Sequence, residues 1–187
     1  MQAARRPVES WANRNPFDRH HRKNFFPPIG AMLKYDKMSA ENRLLELGLS
    51  LPELPKPGGN YLSAKRAGQL VYLAGMISQN KSGVIEGTVG LDRSIQEGYE
   101  AARVCALIQL AVLRRHLGSI DAVQEIVSIN GYVNAIAGFS ESPKVINGAS
   151  DLLVDVFGEA GKHVRAAIGV SALPRHALVE LQMIVAV

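Results

Sequence analysis

Residues 163–174 read HVRAAIGVSALP, and residues 179–181, in the next apolar run, read VEL. The first run has the composition of a buried strand, yet a charged residue, Arg165, stands near its head. Such a charge needs a partner, because burying an uncompensated charge costs free energy. Arg165 is therefore either paired within the protein or available to an anionic ligand, and the residues alone leave both interpretations open.

Length and composition indicate an ordinary soluble globular protein. The 187 residues, 47% hydrophobic and 20% charged, suffice for one domain with a substantial core and are too few to favour two. The longest apolar stretch is broken by Arg103 and Gln109, well short of the roughly 20 residues of a membrane span. With Cys105 as the only cysteine, no intramolecular disulfide can form, and we expect a cytoplasmic protein without a metal or cofactor.

The formal charge of +4 is concentrated at one end of the chain. Residues 1–37 contain eight Lys or Arg and three Asp or Glu, a net charge of +5. Residues 38–187 contain thirteen Lys or Arg and fourteen Asp or Glu, a net charge of −1. A phosphate-binding face needs clustered cations, so nucleic acid is not an expected partner of the domain. We interpret residues 1–37 as a basic, poorly ordered arm and residues 38–187 as a single domain, leaving open whether Met38 is the true start.

The patterning predicts the order β, β, α, β, α, β, β, which is an α+β sheet with helices on one face. Two short apolar runs on either side of Gly68 predict a hairpin. Residues 92–119 open on a capping box, Ser94 with Glu97, and close at Gly118, which predicts a long helix. Its middle is apolar on nearly all sides, so we expect a sheet on one face and another cover, such as a second subunit, on the other.

The second half of the chain predicts a long strand, a second helix and two final strands. Residues 122–136 read AVQEIVSINGYVNAI, in which Asn130-Gly131 alone would suggest a turn. Because the apolar pattern continues through it, we predict one strand with a bulge or bend. Ser142 and Pro143 are the expected N-cap and first residue of the second helix. The last two strands are joined around residues 174–177.

Two motifs at opposite ends of the domain resemble those of the Rid family, also called YjgF-type proteins. The runs RAAIGVSALP and VEL resemble its C-terminal signature, in which an Arg opens a strand, Leu-Pro closes it and a Glu lies on the next strand. Residues 60–75, NYLSAKRAGQLVYLAG, resemble its N-terminal hairpin, and Tyr61 keeps the family's spacing to Gly75. The resemblance covers residues 38–187. It implies a chorismate-mutase-like fold, with two main helices on one face of a mixed sheet, and a homotrimer with ligand clefts between subunits.

The resemblance also implies an activity, the hydrolysis of reactive enamine and imine acids such as 2-aminoacrylate to a 2-keto acid and ammonia. The enzyme would be a deaminase of the 2-iminobutanoate/2-iminopropanoate type. Arg165 would hold the substrate carboxylate with two hydrogen bonds. Glu180 would position or deprotonate the attacking water. Tyr61 would line the cleft, and main-chain groups around Gly75 and Met76 would complete it.

Three positions depart from typical imine deaminases. Ala74 stands where a Ser is usual, Met76 replaces a Gln, and Ala167 replaces a Cys. Asn147 corresponds loosely to an Asn that the family's helix supplies. These changes leave a second hypothesis open: a non-catalytic trimer that binds a small carboxylate-bearing metabolite.

Some of these residues also have purely structural interpretations. Glu180 could pair with Arg165 or Arg175 across two adjacent strands, and Tyr61 could be an ordinary strand-edge aromatic. His163 lies two residues before Arg165, so on a strand it would share the face of Arg165 and add a second polar group to the cleft.

Overall fold

A computed structural model describes residues 39–54 and 59–187, so the arm predicted for residues 1–37 lies outside the described residues. The described part contains three α-helices and eight strands. The helices are α1 (Ala40–Glu46), α2 (Ile95–Leu117) and α3 (Ser142–Phe157). The strands are β1 (Ala64–Ala67), β2 (Leu70–Leu73), β3 (Met76–Ile77), β4 (Gln79–Asn80), β5 (Gly83–Val84), β6 (Glu125–Asn134), β7 (Val164–Val170) and β8 (Val179–Ala186). The predicted α+β order is confirmed, with three short strands added after the hairpin.

Local sequence signals set the ends of several elements. The chain reverses between β1 and β2 through Gly68, whose φ of 62° is one that glycine adopts without steric cost. At the start of α2, the Ser94 hydroxyl accepts a hydrogen bond from the Glu97 N–H, and the Glu97 carboxylate accepts one from the Ser94 N–H. The predicted hairpin and capping box are therefore confirmed.

The start of α3 differs from the prediction by one residue. Glu141 occupies the N-cap position and makes no side-chain cap, while Ser142 is already helical. The Ser142 side chain is buried, close to Gly169 of β7, and its hydroxyl makes no hydrogen bond within the described structure. Ser142 as the N-cap was therefore wrong, because its side chain faces the sheet and not the free N–H groups of the first turn.

Six strands form a mixed sheet in the order β1-β2-β8-β6-β7, with β3 also beside β8. All pairs are antiparallel except β6 with β7, which α3 connects as a parallel crossover. β8 therefore lies between β2 and β6, and the expectation that β7 and β8 are adjacent was wrong. β6 forms hydrogen-bonded ladders with β7 on one side and β8 on the other, so it separates the two final strands.

The prediction of one continuous strand at Asn130-Gly131 is confirmed, and packing accounts for the glycine. β6 runs through both residues, and its irregularity lies earlier, between Ile126 and Ser128. A Cβ on Gly131 would overlap the Ile146 side chain of α3. Glycine at this position lets α3 approach the sheet closely, and it forms no turn.

Helices α2 and α3 cover one face of the sheet. α2 packs against β8 and against α3, while α3 also contacts β6 and β7. The second cover of the apolar α2 within the chain is therefore α3, so burial of this helix does not require another subunit. Of the described helices, none has the length and apolar character needed to cross a bilayer.

Candidate functional site

Arg165 lies near the start of the edge strand β7 and points towards α3. Its guanidinium donates hydrogen bonds to Ser150 Oγ at 2.9 Å, to Asn147 Oδ1 at 2.8 Å and to the Pro143 carbonyl oxygen at 3.3 Å. All three acceptors are uncharged. Within the described residues, no Asp or Glu forms an ion pair with this exposed side chain. The guanidinium is thus held in place while its charge stays uncompensated, which is the arrangement expected of an anion-binding group.

Ala167 completes the group around this arginine. It follows Arg165 by two residues on β7, so both residues face the helices. Ala167 pairs with Gly131, which α3 covers, and it is half-buried against the core. We call Arg165, Asn147 and Ala167 the arginine half-site.

Glu180 lies on β8 beside Tyr132 of β6 and Ile77 of β3. Its side chain is half-buried between the fully buried Val179 and Leu181, so it points away from the helices. Within the described residues its carboxylate makes no hydrogen bond or ion pair. Burial therefore raises the pKa of Glu180 above its ordinary value.

Gly75 leaves the space that the Glu180 carboxylate occupies. A Cβ on Gly75 would overlap Glu180 Oε1. The neighbouring Ala74 carbonyl is fixed by a hydrogen bond of 3.0 Å from Gln109 Nε2, while the Met76 side chain is buried in the core. Met76 can therefore contribute only its main chain to a site. We call Glu180, Gly75 and the main chain of Ala74 and Met76 the glutamate half-site.

The two half-sites do not meet within one chain. Arg165 pairs with Ile129 on β6, whereas Glu180 pairs with Tyr132, three residues further along the same strand. An odd spacing on a strand reverses the face, so the arginine and the glutamate project from opposite sides of the sheet. Within one chain, Glu180 therefore does not neutralise Arg165. Tyr61 lies before β1 with its side chain exposed.

The sheet face opposite the helices, which we call the open face, carries exposed apolar side chains. Val164 is 70% exposed, Ile168 50% and Tyr72 44%. Each of them has its neighbours on the adjacent strands at the same level of the sheet. Tyr72 and Val164 lie in the row of Ile184, and Ile168 pairs with Tyr132. A sheet face with exposed apolar side chains, which no other described element covers, is typical of a protein interface.

A groove of about 720 Å³ lies elsewhere, between α1 and the end of α3. Three of its charged groups are engaged: Arg43 pairs with Glu46 at 3.0 Å and donates to the Asp155 carbonyl, Asp121 accepts the Glu41 N–H, and Glu159 pairs with Lys162 at 2.8 Å. None of the predicted site residues lines this groove. Among the described residues, no three His, Cys, Asp or Glu side chains converge as they would around a metal ion.

Sequence reasoning missed two residues that position the half-sites. Ser150 follows Asn147 by three residues on α3, a spacing that places both on one helix face towards Arg165. Gln109 is a fully buried amide in the apolar middle of α2, and its Nε2 bridges the carbonyls of Ala74 and Leu181. A helical-wheel projection would have indicated Ser150, and the isolated polar residue in an apolar helix would have indicated Gln109.

The matches to known proteins cover almost the whole described fold. A family model described as "YjgF/chorismate mutase-like, putative endoribonuclease" matches residues 41–186, from α1 to the end of β8. Protein TCP17 of Trypanosoma cruzi is 39% identical over 144 residues, which cover 76% of this chain and 90% of TCP17. The crystal structure of Atu1372 from Agrobacterium tumefaciens is 36% identical, with a TM-score of 0.73 over 79% of this chain and 92% of Atu1372. A "putative endoribonuclease" from Shewanella oneidensis is 31% identical, with a TM-score of 0.77 over 80% of this chain and 99% of that one.

Proposed function

Because this chain belongs to the YjgF/chorismate mutase-like family, we propose that it hydrolyses small enamine or imine acids to 2-keto acids and ammonia, with Arg165 binding the substrate carboxylate. One observation carries the proposal: neutral oxygens hold the Arg165 guanidinium in place, and no carboxylate within the described residues neutralises it. Three of its five N–H donors are used by α3, which leaves the Nε–H and one Nη1–H to bind a substrate carboxylate.

The chemistry needs one further group, a base for the attacking water. Water adds to the carbon of the protonated imine while Glu180 accepts one proton of the water, giving a neutral tetrahedral carbinolamine. Glu180 then returns that proton to the nitrogen, which becomes an ammonium leaving group. The C–N bond breaks as the carbinolamine hydroxyl gives its own proton to Glu180, which releases ammonia and leaves the 2-keto acid. A carboxyl whose pKa is raised by burial suits both steps, because it gives up and regains a proton near neutral pH more readily than an exposed carboxyl does.

We place the complete site between two copies of the chain in a homotrimer. The two half-sites project from opposite faces of one sheet, so Arg165 of one copy must meet Glu180 of a neighbouring copy. The exposed apolar residues of the open face supply a surface for this assembly. A cleft between copies would also exclude bulk water from the reacting imine, which strengthens the ionic contact to Arg165.

The proposal is tested by turnover. Imino acids generated in place by an amino-acid oxidase should release keto acid faster in the presence of the protein than in its absence, with catalytic amounts of protein sufficing for many equivalents of product. An unchanged rate across imines from small apolar and polar amino acids would contradict the proposal.

The pH dependence of turnover should report Glu180. The carboxylate accepts a proton only when ionised, and burial raises its pKa above the ordinary 4.5. We therefore expect kcat/KM to fall as the pH drops through a value above 4.5 and to level off at higher pH. Glu180→Gln should lower the plateau and abolish this step. The same step persisting in Glu180→Gln would assign it to another group.

Gly75→Ala should disable the glutamate half-site at little cost to the fold. The new Cβ would displace the end of the Glu180 side chain, which is flexible enough to move. A misplaced base costs about 10²-fold in kcat/KM, whereas we expect the free energy of unfolding to change by less than about 1 kcal/mol. In a Glu180→Gln background the same substitution should have no further effect on turnover. An equal further drop in that background would show that Gly75 acts independently of Glu180.

A non-catalytic function is favoured by a different observation. Ala74 and Ala167 place no polar side chain in the half-sites, and the Met76 side chain lies in the core. The trimer would then bind a small carboxylate without hydrolysing an imine. In that case 2-oxobutanoate would raise the thermal midpoint, because a ligand that binds only the folded state stabilises it, while the turnover assay would stay at background.

Cleavage of RNA, which the descriptions of the family and of the Shewanella protein mention, is less well supported for this chain. Residues 38–187 carry a net charge of −1. RNA binding through phosphates needs clustered cations and weakens steeply with salt. Salt-sensitive RNA binding by a variant that lacks residues 1–37 would overturn this judgement.

A further inference from the structure

Arg165 is one end of a hydrogen-bonded chain that continues through α3 to His163. Arg165 Nη1 lies 2.9 Å from Ser150 Oγ, and Ser150 Oγ lies 3.1 Å from His163 Nε2. The other ring nitrogen, Nδ1, lies 2.6 Å from the Gly161 carbonyl oxygen. His163 is thus joined to the main chain on one side and, through a single hydroxyl, to Arg165 on the other.

The partners determine where each proton lies. A carbonyl oxygen only accepts, so His163 Nδ1 carries a proton and donates it to Gly161. In the neutral ring Nε2 then has a lone pair and accepts the Ser150 hydroxyl proton. This leaves a lone pair of Ser150 Oγ facing the Arg165 N–H. Burial, and secondly the charge of Arg165, lower the pKa of His163, which favours this neutral form.

We propose that His163 is a positioning residue for Arg165, acting through Ser150. The lone pair on Nε2 fixes the direction of the Ser150 hydroxyl, and the hydroxyl oxygen in turn fixes Arg165 Nη1. Without His163 the hydroxyl rotates freely, and the guanidinium loses part of its pre-organisation for a planar carboxylate. The inference rests on the proposed function of Arg165 as the carboxylate-binding group.

Two substitutions separate positioning from simple space filling. His163→Asn places an amide near the position of Nδ1, so it can still bond Gly161 but cannot reach Ser150. His163→Gln places its amide near the position of Nε2, so it can offer an acceptor to Ser150 without the Gly161 bond. If His163 positions Arg165 through Ser150, His163→Gln preserves ligand binding and His163→Asn does not. An anchoring role through Gly161 predicts the reverse order.

The experiment measures the affinity for 2-oxobutanoate by titration calorimetry in the full-length wild type and in variants. We expect Ser150→Ala and His163→Asn each to weaken binding by about tenfold, the effect of one hydrogen bond to a charged group, and His163→Gln to weaken it by less than about threefold. The double variant Ser150→Ala/His163→Asn should bind no more weakly than Ser150→Ala, because both changes interrupt the same series of hydrogen bonds from His163 to Arg165. Val154→Ala, at an exposed position of the same helix, should bind like the wild type.

Nitrogen NMR of the imidazole provides a readout that does not depend on the ligand. It should show His163 protonated at Nδ1 and unprotonated at Nε2 at neutral pH. The opposite tautomer, or wild-type affinity in both Ser150→Ala and His163→Asn, would overturn the inference. If those variants retained affinity while Arg165→Ala lost it, positioning by His163 would be wrong and the proposed function would stand. If Arg165→Ala also bound 2-oxobutanoate normally, the proposed function itself would fail.

Discussion

Arg165→Ala is expected to reduce imine hydrolysis by about two to three orders of magnitude, the loss that follows when a fixed charged donor to the reacting molecule is removed. The variant loses the hydrogen bonds and the ionic contact to the substrate carboxylate, and with them the orientation of the imine carbon towards water. The fold should persist, because the guanidinium is exposed and bonds only three neutral acceptors on α3. Keto acid release from oxidase-generated imines measures the effect, with light scattering to confirm an unchanged oligomer.

Two further variants sharpen this test. Arg165→Lys keeps the charge but loses the planar pair of donors, so its activity should fall between that of alanine and wild type. Arg43→Ala truncates an arginine of α1 that is paired with Glu46 and belongs to neither half-site, and it should leave turnover unchanged. Arg165→Ala within about threefold of wild type would show that the arginine is not the carboxylate-binding group.

Gly148→Ala should be strongly destabilising, because it overpacks the described core. Gly148 is fully buried on α3 at its contact with α2, and a Cβ there would overlap the Tyr99 main-chain oxygen. Backbone cannot yield as a side chain can, so the helices must separate. We expect the free energy of unfolding to fall by about 3 kcal/mol, the upper part of the usual range for overpacking. Urea denaturation monitored by circular dichroism measures the change.

The same substitution at Gly59 provides the control. A Cβ on Gly59 would meet the Tyr61 ring only at 3.5 Å, an ordinary van der Waals distance. Gly59→Ala should therefore change the free energy of unfolding by less than about 0.5 kcal/mol. Equal midpoints for the two variants would show that α2 and α3 do not pack as closely as described. Because Asn147 adjoins Gly148, loss of this packing should also weaken the hold of α3 on Arg165.

The sequence predicts those parts of the fold that depend on nearby residues. The capping box at Ser94 and Glu97, the hairpin at Gly68 and the unbroken strand through Gly131 all rest on short-range patterns, and all three are confirmed. The order of strands depends on long-range pairing, which local patterns do not encode. For this reason β8 was expected beside β7, whereas it lies between β2 and β6.

For the candidate site, too, the sequence indicates the residues, whereas their arrangement depends on long-range pairing. The resemblance to a known family indicated Arg165 and Glu180, but it could not show which face of the sheet each side chain occupies. That depends on the register of β7 and β8 against β6, where Arg165 pairs with Ile129 and Glu180 with Tyr132. The roles of Ser150 and Gln109 depend on helix packing against the sheet, so neither emerged from the strand motifs.

The division of the site between copies of the chain can be tested directly by complementation. Arg165→Ala and Glu180→Gln should each retain only a small residual activity alone. If a trimer site takes its arginine from one copy and its glutamate from the next, equal amounts refolded together should restore both groups in about one quarter of the sites, and activity to about that fraction of wild type. A mixture of Arg165→Ala with the Arg165→Ala/Glu180→Gln double variant should stay inactive. Recovery to about one quarter supports the account, whereas activity no greater than that of the separate variants would contradict it.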